Sequence, residues 1–164
     1  MTYLDIAKLS DKEYNKLPRG LRSRNPGNIV KSPTQWRGEI VGVDERFETF
    51  DTLHNGLRAL VKVLNTYYVK HKIRNIHGII NRYAPPFENH TDKYAEFVAF
   101  VTGFKSNEEI AYDQFKATLP WLVRAITRME LGETPESTKK DRIWWSDVAI
   151  SMEAIHDAVK DGLK

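Results

Sequence analysis

Residues 19–51 read RGLRSRNPGNIVKSPTQWRGEIVGVDERFETFD, and the division of this stretch decides the fold. At its centre Asn25-Pro26-Gly27-Asn28 is a turn signal. Proline holds φ at about −65°, asparagine tolerates left-handed backbone, and Gly27 is expected to supply the positive φ of a type II turn. Lys16, Arg19, Arg22, Arg24, Lys31 and Arg37 surround the turn, and no acid occurs between Tyr14 and Gly38. The sign then reverses, with Glu39, Asp44, Glu45, Glu48 and Asp51 in a segment of extended character. Ile40, Val41 and Val43, a polar turn at Asp44-Glu45, then Phe47 and Phe50 predict a β-hairpin with strands 39–43 and 46–50. A basic, amide-rich turn beside an acid-rich hairpin has the pattern of a binding site more than of a solvated loop.

Upstream, Ser10 and Glu13 have capping-box spacing and Pro18 stops the segment, so residues 2–17 are expected to form a short helix or two short turns. Downstream the pattern is helical throughout. Asp51 is expected to cap a helix in which Leu53, Leu57, Leu60, Val61, Leu64 and Tyr68 keep a helical period. Asn75 opens a shorter helix that Pro85-Pro86 ends, and another runs from about Thr91 to Thr102, with Gly103 as its stop. Ser106 and Glu109 repeat the capping-box spacing before a helix at 107–118, and Pro120 restarts one that Gly132 closes. Residues 133–142 are polar and read as a loop, and Ser146 is expected to cap a last helix reaching 163. The expected class is mainly α (α+β), one domain over 1–164 with a small β-hairpin lobe near its N-terminus.

Composition excludes several chemistries. The chain has no cysteine, which removes disulfides, thiol nucleophiles and thiolate metal sites. His54, His71, His77, His90 and His156 show no metal-ligand spacing, so neither a metal nor another cofactor is expected. No window approaches the roughly 18 apolar residues of a membrane span. The N-terminus lacks the basic start and apolar run of a secretory signal. A net charge of +3 is a mild bias towards polyanions, nucleic acid and anionic wall polymers included.

Four blocks, RGLRSRNPGNI, WRGE, DERFETF with LHNGLRALVKVL, and RYAPPFENHTDKYAEFV, together resemble a recurring module of phage proteins described as virion or structural proteins. The resemblance covers about residues 19–130. At longer range the chain is similar to the glucosaminidase branch of the lysozyme superfamily, where an Asn-containing turn precedes a small β lobe and an aromatic segment walls the sugar cleft. This likeness implies a lysozyme-like fold and a phage-encoded, peptidoglycan-targeting protein: a muramidase, glucosaminidase or lytic transglycosylase. Such a protein is made in the host cytoplasm and acts in the cell wall or periplasm after release, or travels in the virion. Its partners would be glycan strands and other virion proteins. Tyr83-Ala84, Thr91 and Tyr94 would form the aromatic wall. In the glucosaminidases the catalytic glutamate ends a helix before the Asn turn; here only Glu13 lies in a comparable place, and a capping box explains it equally well.

Glycoside cleavage needs a carboxylic acid to protonate the leaving oxygen, and usually a second carboxylate. A lytic transglycosylase works with one acid, because a substrate hydroxyl is the nucleophile. Glu88 follows the apolar Ala84-Pro85-Pro86-Phe87 and is the candidate acid; its bland role is to cap the helix that opens near Thr91. Asp44 is the candidate second carboxylate, against a plain turn role. Asn25 and Asn28 are candidates for an acetamido contact as well as for turn hydrogen bonds, and Trp36 for stacking on a sugar as well as for covering the hairpin. Thr91 and Tyr94 complete the expected substrate-binding set. Two alternatives stay open: a non-catalytic protein that keeps the fold and binds peptidoglycan, and a nucleic-acid binder using the basic segment. The second ranks lower, since the run lacks interleaved aromatics and is broken by Pro18, Pro26 and Pro33.

Overall fold

Leu57, Leu60, Val61, Leu64 and Tyr68 return every three or four residues and are buried, making α3 (Leu53–Val69) the helix around which the core forms. The computed structural model describes residues 6–86, 90–134, 137 and 141–164. Helix α8 (Met152–Gly162) lies along α3 at close range, because a Cβ on Gly162 would stand only 2.6 Å from Val61. Helix α6 (Tyr112–Leu131) packs against α5 (Thr91–Thr102), α8 and α7 (Trp145–Ala149), while α4 (Ile76–Tyr83) covers α5. Ile79, Ile80, Val98, Phe115, Leu119, Leu122, Ile126 and Ile155 join these helices in one continuous hydrophobic cluster. The chain is mainly helical with one small antiparallel sheet near its N-terminus, as expected.

The N-terminal segment forms a 3-10 turn at Ile6–Lys8 and α1 (Asp11–Asn15). Ser10 caps α1 reciprocally: its Oγ accepts the Glu13 N–H at 3.2 Å and donates to the Glu13 carboxylate at 3.0 Å. Part of the basic stretch is itself helical, as α2 (Arg19–Arg22).

Six expectations are corrected. Gly27 does not carry the positive φ of the Asn turn; Arg24 and Asn28 do, each at 51°, while the Asn28 N–H donates to the Asn25 carbonyl at 2.9 Å. Glycine is needed at 27 for room, because a Cβ would lie 2.6 Å from the Tyr83 hydroxyl and 3.2 Å from Leu60.

The hairpin is shorter than 39–43 and 46–50. Strand β1 (Glu39–Ile40) pairs with β2 (Thr49–Phe50), with Glu39 opposite Phe50 and Ile40 opposite Thr49. Residues 46–48 are paired elsewhere: Lys31 N–H bonds the Arg46 carbonyl, Glu48 N–H bonds that of Ile29, and Val30 bridges Phe47. Val41 and Val43, left without that partner, are fully exposed.

Thr52, not Asp51, caps α3, its Oγ1 accepting the Asn55 N–H at 3.1 Å; Asp51 takes the Asn55 side-chain amide instead. Asn75 does cap α4.

Helix boundaries at the C-terminal end also differ. Residues 106–110 are not helical, since Ser106 accepts the His77 N–H and Ile110 donates to Arg74. Pro120 then sits inside one unbroken α6. An interior proline costs about 3 kcal/mol, and the buried face of Phe115, Leu119, Leu122, Val123 and Ile126 on both sides offsets it. The expected helix from Ser146 to 163 is broken at Ile150. The buried Arg124 guanidinium takes the Ile150 carbonyl at 2.5 Å, and Ser151 caps α8 by accepting the Ala154 N–H. Ser146 is buried and donates to Asp147.

Candidate functional site

The buried Asn25 amide builds the site by locking the turn onto the β lobe. Its Nδ2 donates to the carbonyls of Ile29 and Glu48, both at 3.0 Å, and its Oδ1 accepts the Ile29 N–H at 2.9 Å. The following residues run out as one wall of a cleft of about 780 Å³. Asn28, Ile29, Val30, Ser32, Thr34 and Trp36 make this wall; α3 and α4 make the other with Lys62, Val63, Thr66, Tyr67, Arg82 and Tyr83. Such a volume lies in the ordinary range for small-ligand sites. The Tyr83 hydroxyl donates to the Gly27 carbonyl and ties the two walls together.

Behind Asn28 stands Glu130, in the last turn of α6. Asn28 Nδ2 donates to its carboxylate at 2.9 Å and to its backbone carbonyl at 3.2 Å, and the Tyr94 hydroxyl donates to the other carboxylate oxygen at 3.1 Å. Burial pushes the Glu130 carboxyl above the usual carboxylate range, and the Asn28 and Tyr94 hydrogen bonds with the Arg19 charge only partly oppose it. The Tyr83 and Tyr94 phenols are pushed well above their usual value, by burial first and the Glu130 charge second, so both remain neutral donors. Glu130 is partly exposed. The arrangement is a carboxyl whose proton is held more tightly than on a free glutamate, fixed in orientation behind the wall of a cleft, a geometry suited to proton donation.

No known sequence family profile matches the chain. It is, however, 38% identical over 139 residues to "Protein P5" of Pseudoalteromonas phage PM2, a match that covers 80% of this chain and 84% of that protein. The chain belongs to the P5 family. Membership is a statement about common fold and a phage setting.

Among the residues expected to form the site of this P5 relative, the structure brings Asn28, Trp36 and Tyr94 to the cleft or its immediate backing. Trp36 lines the cleft, and its shielded indole N–H has no hydrogen-bond partner among the described residues. Asn25 is 1% exposed with its amide committed to the backbone, so it acts behind the wall rather than on a ligand. Thr91 is likewise buried, its hydroxyl donating to the Ala84 carbonyl at 2.6 Å, which fixes the approach to α5. Asp44 does not line the cleft. Its Oδ1 accepts the N–H groups of Arg46 and Phe47, which hold its carboxyl below the usual range and give it the turn role. Glu88 lies outside the described residues, and Glu13 is exposed in the α1 cap.

Glu130 was absent from the expected set although one signal pointed to it. It is the only acid between residues 114 and 131, at the C-terminal end of a helix where the macrodipole disfavours negative charge. A second carboxylate missed from sequence is Glu48, 6% exposed and pushed up to about 7 by burial and by its hydrogen bond with Glu39. Two residues of the basic segment are used within the fold: Arg19 lies 3.7 Å from the Phe47 ring centroid, and Arg37 bonds Asp161 and Asn55. Among the described residues no helix is long and apolar enough to cross a membrane, and no cluster of three or more His, Asp or Glu could hold a metal.

Proposed function

We propose that the protein is a phage-encoded, peptidoglycan-targeting enzyme that cleaves the glycan strand in lysis or wall penetration, with Glu130 as its acid. The observation that carries this reading is the Asn28–Glu130–Tyr94 cluster: a desolvated, oriented carboxyl beside a cleft with a neutral amide, hydroxyl and indole wall. Membership in a phage protein family supports the setting, whether the protein is released at lysis or carried in the virion.

Glu130 is joined to the cleft through Asn28 and no second carboxylate stands in the lining among the described residues, so the reading takes the one-acid chemistry of a lytic transglycosylase rather than two-acid hydrolysis. In that chemistry Glu130 gives its proton to the glycosidic oxygen as the bond from that oxygen to C1 breaks. The C6 hydroxyl oxygen of the muramoyl residue bonds to C1 and returns its proton to the Glu130 carboxylate, leaving a 1,6-anhydro end. Trp36 offers an apolar face for a sugar ring.

Glu130→Gln tests the assignment. Glutamine keeps the shape and can still meet Tyr94 but cannot donate a proton at the leaving oxygen, so digestion of purified sacculi should fall by about 10²–10⁴-fold with the thermal midpoint little changed. Released muropeptides should carry anhydro ends, and Asp44→Asn should leave the rate nearly intact. A Glu130→Gln protein that still digests sacculi, while Glu88→Gln does not, moves the acid to Glu88. A wild-type protein that binds sacculi without cleaving them replaces the enzyme with a wall-binding phage protein.

A further inference from the structure

The two walls of the cleft differ in charge. The wall of residues 28–36 is neutral where it meets the cleft, offering the Asn28 amide, the Ser32 and Thr34 hydroxyls and the Trp36 ring. The helical wall carries two cations, Lys62 of α3 and Arg82 of α4. Neither has an Asp or Glu partner among the described residues. Lys62 Nζ lies 3.4 Å from the main-chain oxygen of Lys164, while the Arg82 guanidinium lies 5.2 Å from the Tyr67 ring centroid, hydrogen-bonds the Tyr67 side chain and stands 3.4 Å from the His71 imidazole. Elsewhere the fold does give cations carboxylate partners: Arg37 and Arg58 have Asp161, and Arg124 and Arg128 have Asp147.

Two cations on one wall of a cleft, neither neutralised by an Asp or Glu side chain among the described residues and facing a neutral wall suited to sugar, form a site for a saccharide that bears carboxylates. Resting on the glycan reading above, we infer that the Lys62–Arg82 wall binds the carboxylates of the peptide stem on the muramoyl residue, so that the ligand is stem-bearing glycan rather than bare polysaccharide. The chemistry is charge-assisted hydrogen bonding from an ammonium and a guanidinium to carboxylate oxygens. Tyr67 and His71 hold the guanidinium in place at the cleft. The amide-and-indole wall orients the sugar, and the cationic wall selects the decoration.

The test is equilibrium co-sedimentation of the full chain, kept cold, with intact sacculi and with glycan strands from which an amidase has removed the stems. Intact sacculi should bind more tightly and lose affinity with added salt, while stripped strands bind weakly and are salt-insensitive. Lys62→Gln and Arg82→Gln should each weaken binding to sacculi by roughly tenfold, the worth of one charge-assisted hydrogen bond, and leave stripped strands unaffected. Arg82→Lys, which keeps the charge, should retain most of the affinity. Because both side chains reach solvent at the cleft, the single variants are expected to melt with the wild type. Equal binding to stem-bearing and stripped strands, or single variants that bind sacculi as the wild type does, overturns the inference and leaves the glycan reading standing. A protein that binds neither polymer overturns both.

Discussion

Replacing Glu48 by glutamine should remove most of a pH dependence of stability that the wild type carries between about pH 4.5 and 7. Glu48 and Glu39 project from the same face of the small sheet, since Glu39 lies opposite Phe50 and Glu48 is two residues before it. Burial and the hydrogen bond with Glu39 raise the Glu48 carboxyl from 4.5 to about 7, and the Lys31 charge opposes them only weakly. A raised folded-state value means that the folded chain holds the proton more tightly than the unfolded chain. The resulting stability is fully present below 4.5 and is lost as the pH rises through about 7. At about 1.4 kcal/mol per pH unit the displacement has an upper limit of about 3 kcal/mol. The partner Glu39 is only half-buried, so solvent screens the pair and an observed loss on the order of 1–2 kcal/mol is the reasonable expectation. Urea denaturation at a series of pH values would read it. Wild-type stability should fall across this window more steeply than that of Glu48→Gln, which should be the more stable protein at about pH 8. Parallel profiles for the two proteins would refute a raised Glu48 carboxyl, and a Glu130→Gln control keeps the contribution of the other raised carboxyl separate.

Two further outcomes follow from packing and capping. Gly27→Ala should lower stability by about 1–3 kcal/mol, because the new methyl displaces the Tyr83 hydroxyl from the Gly27 carbonyl; in a Tyr83→Phe background the same change should cost less, as thermal melts of the four proteins would show. Ser151→Ala should cost about 1 kcal/mol by removing the cap of α8, a loss that would be absent from a melting curve if 146–163 formed one uninterrupted helix.

Much of the fold was legible because its signals are local. The apolar period of α3, the Asn75 cap, the proline pair after α4 and the Gly103 stop each act within a few residues, and each element stands where the pattern puts it. The failures lie where a distant group takes over a local one. Val41 and Val43 have strand propensity, yet residues 46–48 bond to 29–31 instead, leaving those valines without a ladder. Ile150 ends a helix because Arg124, far away in sequence, claims its carbonyl. Pro120 should have broken a helix, but burial on both of its flanks outweighs one lost donor. Propensity describes what a segment does alone, and in each case a partner was missing from the calculation.

The candidate site divides along the same line. Asn28, Trp36 and Tyr94 stand in a turn and an aromatic stretch, which are local patterns, whereas Glu130 is separated from Asn28 by 102 residues and no spacing rule connects them. What was visible locally was a conflict: a lone acid in the closing turn of a long helix, where the macrodipole offers it nothing. Folding tolerates that conflict because Asn28 and Tyr94 supply two donors, yet these leave the carboxyl partly desolvated and its proton more tightly held than on an ordinary surface glutamate. Stability alone gives little reason for this arrangement, since an apolar side chain would avoid the desolvation altogether. Under the proposed function, proton transfer gives a direct one, because a carboxyl raised by burial and fixed between two donors behind the wall of a cleft is oriented to give up a proton.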